Sequence, residues 1–193
     1  MTLVDIDPEL STRDRVVAAA VVLTSDVGWA QVTMAKLAES IGVSRQTVYN
    51  EIGSKPQLAE AMILRELDRF LAIVSVAFDR NPTDLVEAIR AASQRVLEHA
   101  QDNQLLHAVV SATHGADTEL LPLLTTHAES LLGVAKVVIA DRIEPYDVAL
   151  DRKHLEAAID AVVRLVLSHV MQPSATPVDT ADDIAWIAER VLR

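Results

Sequence analysis

The feature that most constrains this chain is the spacing of its apolar residues, which recur at intervals of three and four from one end to the other. Val16, Ala20, Leu23 and Val27 stand at i, i+4, i+7 and i+11, the stripe of one amphipathic helix. Met34, Leu37, Ala38 and Ile41 repeat the pattern, and a long stripe follows in Ile63, Leu67, Phe70, Leu71, Val74 and Phe78. Leu85, Ile89, Ala92 and Val96 mark a fifth helix over residues 83–101, and residues 104–112 predict a short sixth. A seventh is expected over 118–142, nearly all-apolar at 131–140, with Pro122 in or near its first turn. Leu155, Ile159, Val162, Val166 and Val170 define an eighth, and Ile184, Ile187 and Val191 a last one from Thr180 onward. No credible pair of strands competes. Half of the residues are hydrophobic, yet only 3% are aromatic and only 5 are Gly, a mixture that favours helix on helix over sheets with Gly-rich turns. The expectation is an all-α fold of about nine helices.

The punctuation agrees with the stripes. Gly28 is expected to end the first helix in the left-handed conformation that Gly adopts at little cost. Thr33 is a natural N-cap for the second helix, Gly42 its terminator, and Ser44 the cap of a short third helix that begins at Arg45. Ser54-Lys55-Pro56-Gln57 has the form of a capping box with Pro in the first turn, so a fourth helix starts there. Asn81-Pro82 breaks it, Thr113-His114-Gly115 closes the sixth, Glu144-Pro145-Tyr146 forms a loop, and residues 173–179 serve as a linker.

Composition then removes several classes of function. The chain has no Cys, hence no disulfide frame, thiolate metal site or cysteine nucleophile. Its first ten residues carry Asp5, Asp7 and Glu9 rather than the basic-then-apolar order of a signal peptide. No charge-free apolar stretch reaches the roughly 18 residues of a membrane span. A cytoplasmic protein with no membrane partner is expected. The six histidines show neither Glu-x-x-His nor His-Glu-x-x-His spacing, and neither a Gly-rich phosphate loop nor a Gly-x-Ser-x-Gly elbow occurs. No catalytic residue, metal or cofactor is expected. A net charge of −11 argues at first against nucleic acid, but its distribution matters. Residues 11–55 hold five basic and four acidic side chains, whereas residues 56–193 hold 12 and 21. The acidity belongs to the second part.

The specific signal lies between Thr33 and Glu51. Two short helices joined by a tight turn at Gly42-Val43-Ser44 form a helix-turn-helix. Val43 and Val48 hold the second helix against the first, and Ser44 places its N-terminus outward, where free N–H groups and the positive dipole end suit phosphate. Arg45, Gln46, Thr47, Tyr49 and Asn50 then face out. Arg can pair bidentately with guanine, Gln or Asn with adenine, and the Thr methyl can meet that of thymine. Residues 13–64 resemble the tetracycline-repressor (TetR) family. The resemblance is carried by Ala19-Ala20, Leu23, Gly28, Thr33, Leu37-Ala38, Gly42-Val43-Ser44, Thr47-Val48-Tyr49, Ser54-Lys55 and Leu58. It implies a DNA-binding domain at 11–55, with Thr33, Arg45, Gln46, Thr47, Tyr49, Asn50 and Lys55 at double-stranded operator DNA. The family's phosphate contacts fall on Tyr49 and Lys55. Where the family often has His then Phe after the tyrosine, this chain has Glu51 and Ile52, and Ala35 offers no side chain to a base.

The resemblance further implies that residues 56–193 form a helical domain that binds a small-molecule effector and dimerises. Candidate pocket residues are Phe70, Val74, Phe78, Ile89, Val96, Leu106, Val110, Thr113, His114, Leu124 and His127. Each apolar one is a core position first and a pocket wall second, and the plainer reading of each histidine is an exposed or singly hydrogen-bonded residue at a helix end. The scarcity of aromatics leaves little to stack on a planar cation and suits a lipophilic, aliphatic ligand such as a fatty acyl group. The last two helices are apolar on more than one face, which points to a four-helix homodimer interface through Leu155, Ile159, Val162, Val163, Val166, Ile184, Ile187 and Val191. The function expected is a ligand-responsive transcriptional repressor. The rivals are a helical small-molecule binder without DNA affinity and a helical enzyme.

Overall fold

The computed structural model describes residues 9–103, 105–107 and 128–192, with the backbone alone for 128–130. Among these residues every regular element is helical. In order they are α1 (Thr12–Val27), a 3-10 turn (Trp29–Gln31), α2 (Met34–Ile41), α3 (Arg45–Ile52), α4 (Lys55–Arg80), α5 (Leu85–Gln101), α6 (Ala128–Ile143), α7 (Arg152–Met171) and α8 (Pro177–Val191). The described chain falls into two compact units. One holds the residues up to Glu66 with the stretch 105–107, and the other holds Leu67–Asn103 with the residues from Glu129 onward. The helix expected at 104–112, its Thr113-His114-Gly115 terminator, the start of the seventh helix at 118–127 and the acidic first eight residues lie outside the described residues, residues 105–107 excepted.

In the first unit α1, α2 and α3 pack on one another around Val16, Ala20, Leu37, Val48 and Leu58, each fully buried. The stripe read for α1 turns earlier than its spacing suggests. Val27 is 49% exposed, and Thr24 takes the inner position instead. A hydroxyl can sit there because it donates to the Ala20 carbonyl at 2.7 Å, which satisfies it inside the helix. Gly28 does have positive φ, but at φ 81°, ψ 153° it is extended rather than left-handed helical. Gly42, at φ 73°, ψ 36°, is the true left-handed terminator, and the Val43 N–H returns to the Ala38 carbonyl at 2.9 Å.

In the second unit α8 lies along α5, and both meet α7. Small residues allow the close approach: Ala88 and Ala92 on α5, Ala181, Ala185 and Ala188 on α8, with Ile184 seated among them at 1% exposed. Burying one such side chain is worth about 1.5–3 kcal/mol. Phe78 packs edge-on to Tyr146, centroids 6.0 Å apart, and the Tyr146 hydroxyl donates to the Asn81 carbonyl at 2.8 Å, closing the turn after α4. Burial, with Asp79 and Asp84 nearby, pushes that phenol above its ordinary range. The segment read as a linker up to 179 is shorter than expected. Thr176 accepts the Asp179 N–H and Pro177 occupies the first turn, so α8 begins three residues before Thr180.

Candidate nucleic-acid interface

The order of α3 follows from its cap and its inner face. The Ser44 hydroxyl accepts the Thr47 N–H at 3.0 Å and lies 2.8 Å from the Thr47 hydroxyl. Val48 and Ile52 are buried in the first unit's core, at 0% and 4% exposed. Two arginines of α1 hold the far ends of the reading helices. Arg13 donates to the Glu51 carbonyl in the last turn of α3, and Arg15 to the Ile41 carbonyl at the end of α2 at 2.8 Å. Helix C-terminal carbonyls lack intrahelical partners and attract cations, so these contacts tie both helices to α1. Two of the five basic residues that balance the charge of residues 11–55 are therefore engaged in holding the fold.

Gly53 was missed in the sequence reading. It stops α3 at φ 89°, ψ −97°, and a Cβ there would collide with Gln57 Oε1. Gln57 cannot easily move aside, because its Oε1 accepts the Ser54 N–H at 2.8 Å while the Ser54 hydroxyl accepts the Gln57 N–H at 3.4 Å. This is the reciprocal capping box expected at the start of α4. The signal was available in the sequence: a Gly directly before Ser-x-x-Gln leaves one residue to reverse the chain.

The outer face of α3 is polar. Arg45, Gln46, Tyr49 and Asn50 are exposed, and Thr47 is half-buried with its hydroxyl turned to the cap. Gln46 donates to Asn50 Oδ1 at 2.9 Å, so the two amides stand as a pair, with Gln46 Oε1 still to accept and Asn50 Nδ2 still to donate. Thr33 is exposed at the start of α2, where its hydroxyl accepts the Lys36 N–H at 3.2 Å. Lys55 is half-buried at the start of α4 with its ammonium over the Trp29 ring. All seven side chains lie in the first unit. Glu51 and Ala35 are exposed in the same unit.

The pocket candidates divide. Phe78, Ile89 and Val96 are buried, while Phe70, Val74 and Leu106 are half-buried; Phe70 meets the His99 ring edge-on at 5.1 Å. Val110, Thr113, His114, Leu124 and His127 lie outside the described residues. An open cleft of about 580 Å³ is present in the second unit, between Phe78, Pro82, Val138 and Tyr146, with the Arg142–Asp79 ion pair of 2.7 Å at its edge. Of the pocket candidates among the described residues, Phe78 alone lines it.

The interface candidates divide as well. Ile159 and Ile184 are buried in the second unit's own core, at 5% and 1% exposed, and so stand behind the surface rather than on it. Leu155, Val162, Val163 and Val166 are half-buried against that core. Ile187 and Val191 are exposed, and with them Trp186 and Val178, which the spacing of the last helix did not single out. Among the described residues no cluster of His, Asp or Glu could hold a metal, and no helix is long and apolar enough to cross a membrane.

Comparison with known proteins agrees with this geometry. Residues 16–62 match the family described as bacterial regulatory proteins, tetR family, and residues 84–190 match the bacterial tetracyclin repressor C-terminal domain. The HTH-type transcriptional regulator AlkX of Mycobacterium tuberculosis is 31% identical over 175 residues, spanning 90% of this chain and 81% of that protein. The crystal structure of the TetR family repressor AlkX from a Dietzia species, implicated in biodegradation of n-alkanes, superposes with a TM-score of 0.73 at 25% identity, covering 97% of this chain and 100% of that one. The regulator FadR from Bacillus subtilis, solved in complex with stearoyl-CoA, shares the fold with a TM-score of 0.61 at 14% identity over 93% of this chain and 99% of that one. A helix-turn-helix with a polar outer face, a helical C-terminal region and these matches lead to one conclusion: the chain belongs to the TetR family of transcriptional regulators.

Proposed function

We propose that the chain is a repressor that binds a palindromic operator as a homodimer and is released by a lipophilic, mostly aliphatic small molecule. The observation that carries the DNA half is the outer face of α3, where Arg45, Gln46, Tyr49 and Asn50 project while Val48 and Ile52 anchor the helix from behind. In this reading residues 11–55 bind DNA, with Arg45 and the Gln46–Asn50 pair at base edges and Thr33, Thr47, Tyr49 and Lys55 completing the contact. Residues 56–193 bind the effector and dimerise through the exposed side of α8, with Ile187 and Val191 joined by Trp186, and through neighbouring positions of α7.

The ligand class rests on the aliphatic side chains of the second unit, Val74, Ile89 and Val96 among them, and on their few aromatic neighbours. It is supported by what relatives are known for: AlkX from Dietzia is implicated in biodegradation of n-alkanes, and the B. subtilis regulator was solved with stearoyl-CoA. A cavity opened among such side chains would gain about 25 cal/mol per Å² of apolar surface buried, while a few polar groups orient the head. Ligand acts by favouring a dimer state whose DNA-binding domains are wrongly spaced for the operator, and so shifts the population off DNA. A panel of acyl chains and amphiphilic cations, scored by thermal shift and by release from DNA, tests this. Acyl compounds should raise the melting temperature and displace the operator. Stabilisation and displacement by cations alone would overturn the ligand class.

A further inference from the structure

Lys55 stands where a lysine is locally disfavoured. It is the first residue of α4, and the N-terminus of a helix carries partial positive charge that repels a cation. Its ammonium lies 4.8 Å from the centroid of the Trp29 ring, within the range of a cation–π contact. Trp29 comes from the 3-10 turn between α1 and α2, and its side chain is 3% exposed, packed in the core that holds Val16, Leu37 and Leu58. The ring is therefore a fixed platform. Tryptophan is also an expensive choice for that position. Among the described residues nothing accepts its buried Nε1–H, and an unpaired buried donor is destabilising. Phe or Leu would fill apolar space without that penalty. What an indole adds is the ring face that attracts a cation most strongly.

We propose that Trp29 is a positioning residue, which fixes the Lys55 ammonium for contact with an operator phosphate. A ring face attracts the charge without consuming an N–H donor, so the ring contact and a phosphate contact are compatible. Fixing the four-carbon stem beforehand reduces the side-chain freedom lost on binding. The inference rests on the proposed phosphate role of Lys55.

The test is a double-mutant cycle on the full-length protein, binding DNA from immediately upstream of its own gene across a range of salt. Lys55→Gln should weaken binding and reduce the salt slope by about one. Trp29→Leu should weaken binding by about three- to tenfold, and Trp29→Phe, which keeps a ring face, by less. In the Lys55→Gln background the Trp29 substitutions should cost nothing further. Melting curves establish that each variant is folded, and Trp29→Phe carries the cycle if Trp29→Leu does not fold. An equal loss from the Trp29 substitution in both backgrounds would make Trp29 an ordinary core residue and overturn the proposal. An unchanged salt slope for Lys55→Gln, with the parent still bound, would overturn it by removing the phosphate role. No binding by the parent would instead overturn the DNA reading on which both depend.

Discussion

The helices α3 and α8 solve the same packing problem and leave opposite remainders. Each buries one face in its own unit, α3 through Val48 and Ile52, α8 through Ala181, Ile184, Ala185 and Ala188. What is left exposed on α3 is Arg45, Gln46, Tyr49, Asn50 and Glu51, with no aliphatic side chain among them; what is left on α8 sets the apolar Val178, Trp186, Ile187 and Val191 beside Asp179, Asp182, Asp183 and Arg190, and Trp186 is 58% exposed. A polar remainder at a capped helix start suits phosphates and base edges, with affinity that falls as salt rises. The apolar part of the α8 remainder gains by excluding water against a protein surface, with the charged residues left for the rim. The face a helix does not need for its own core thus indicates the chemistry of its partner.

The sharpest way to break the comparison is to substitute neighbouring residues on α8. Ile184→Ala, on the inner face, should cost about 2–4 kcal/mol of folding stability in a denaturant titration. Ile187→Glu, three residues on and at the surface, should leave the chain folded with the parent's helical content, losing only the stability that association contributes. It should lower self-association by about 100-fold or more, read by light scattering, because the new charge must be desolvated without a partner. A folded variant that stays dimeric would move the interface elsewhere. Val163→Glu is a less clean test, since that side chain also packs on its own core.

On α3 the expected effect is smaller and confined to DNA. Arg45→Ala should cost about 1–3 kcal/mol of operator affinity and relax preference at one position per half-site. Equal loss on every sequence would make Arg45 a phosphate contact. Smaller again is Gly42→Ala. Nothing lies within 4 Å of where its Cβ would stand, so only the left-handed backbone resists it. About 1–2 kcal/mol of stability should be lost, and less for Gly42→Asn.

The smallest effect is expected from acid. Hydrogen bonds from Lys136 and Arg164 hold the Asp160 carboxyl below its usual range, and the Arg90 guanidinium does the same for Glu87. Groups with depressed folded values contribute stability that is present above the unfolded value, about pH 4, and lost as pH falls through the folded one. Melting temperature should therefore fall below about pH 4, and Asp160→Asn should blunt part of that fall.

Much of α3 and its frame was legible because its determinants are local. Ser44, Gly42 and Ser54-x-x-Gln57 act within four residues of their own positions, and the structure places each cap where the sequence puts it. The surface of α8 was less legible because burial there is decided by residues distant in sequence. Ile184 and Ile187 stand three apart on one apolar stripe, yet α5 covers the first and leaves the second exposed. Proline breaks helices from within, so the sequence pattern puts Pro177 in a linker; placed after Thr176 it starts a helix instead. No spacing rule marks Trp29, whose contact with Lys55 depends on what sits above its ring.

The measurement that bears most directly on the account is footprinting of the purified protein on DNA from upstream of its own gene, with the stoichiometry determined by sedimentation. One two-fold dimer, two copies of the chain, should protect an inverted repeat whose half-sites lie about one helical turn or a multiple apart, with one α3 in the major groove of each half-site. A single asymmetric site held by a monomer, or no protection at low salt, would contradict it.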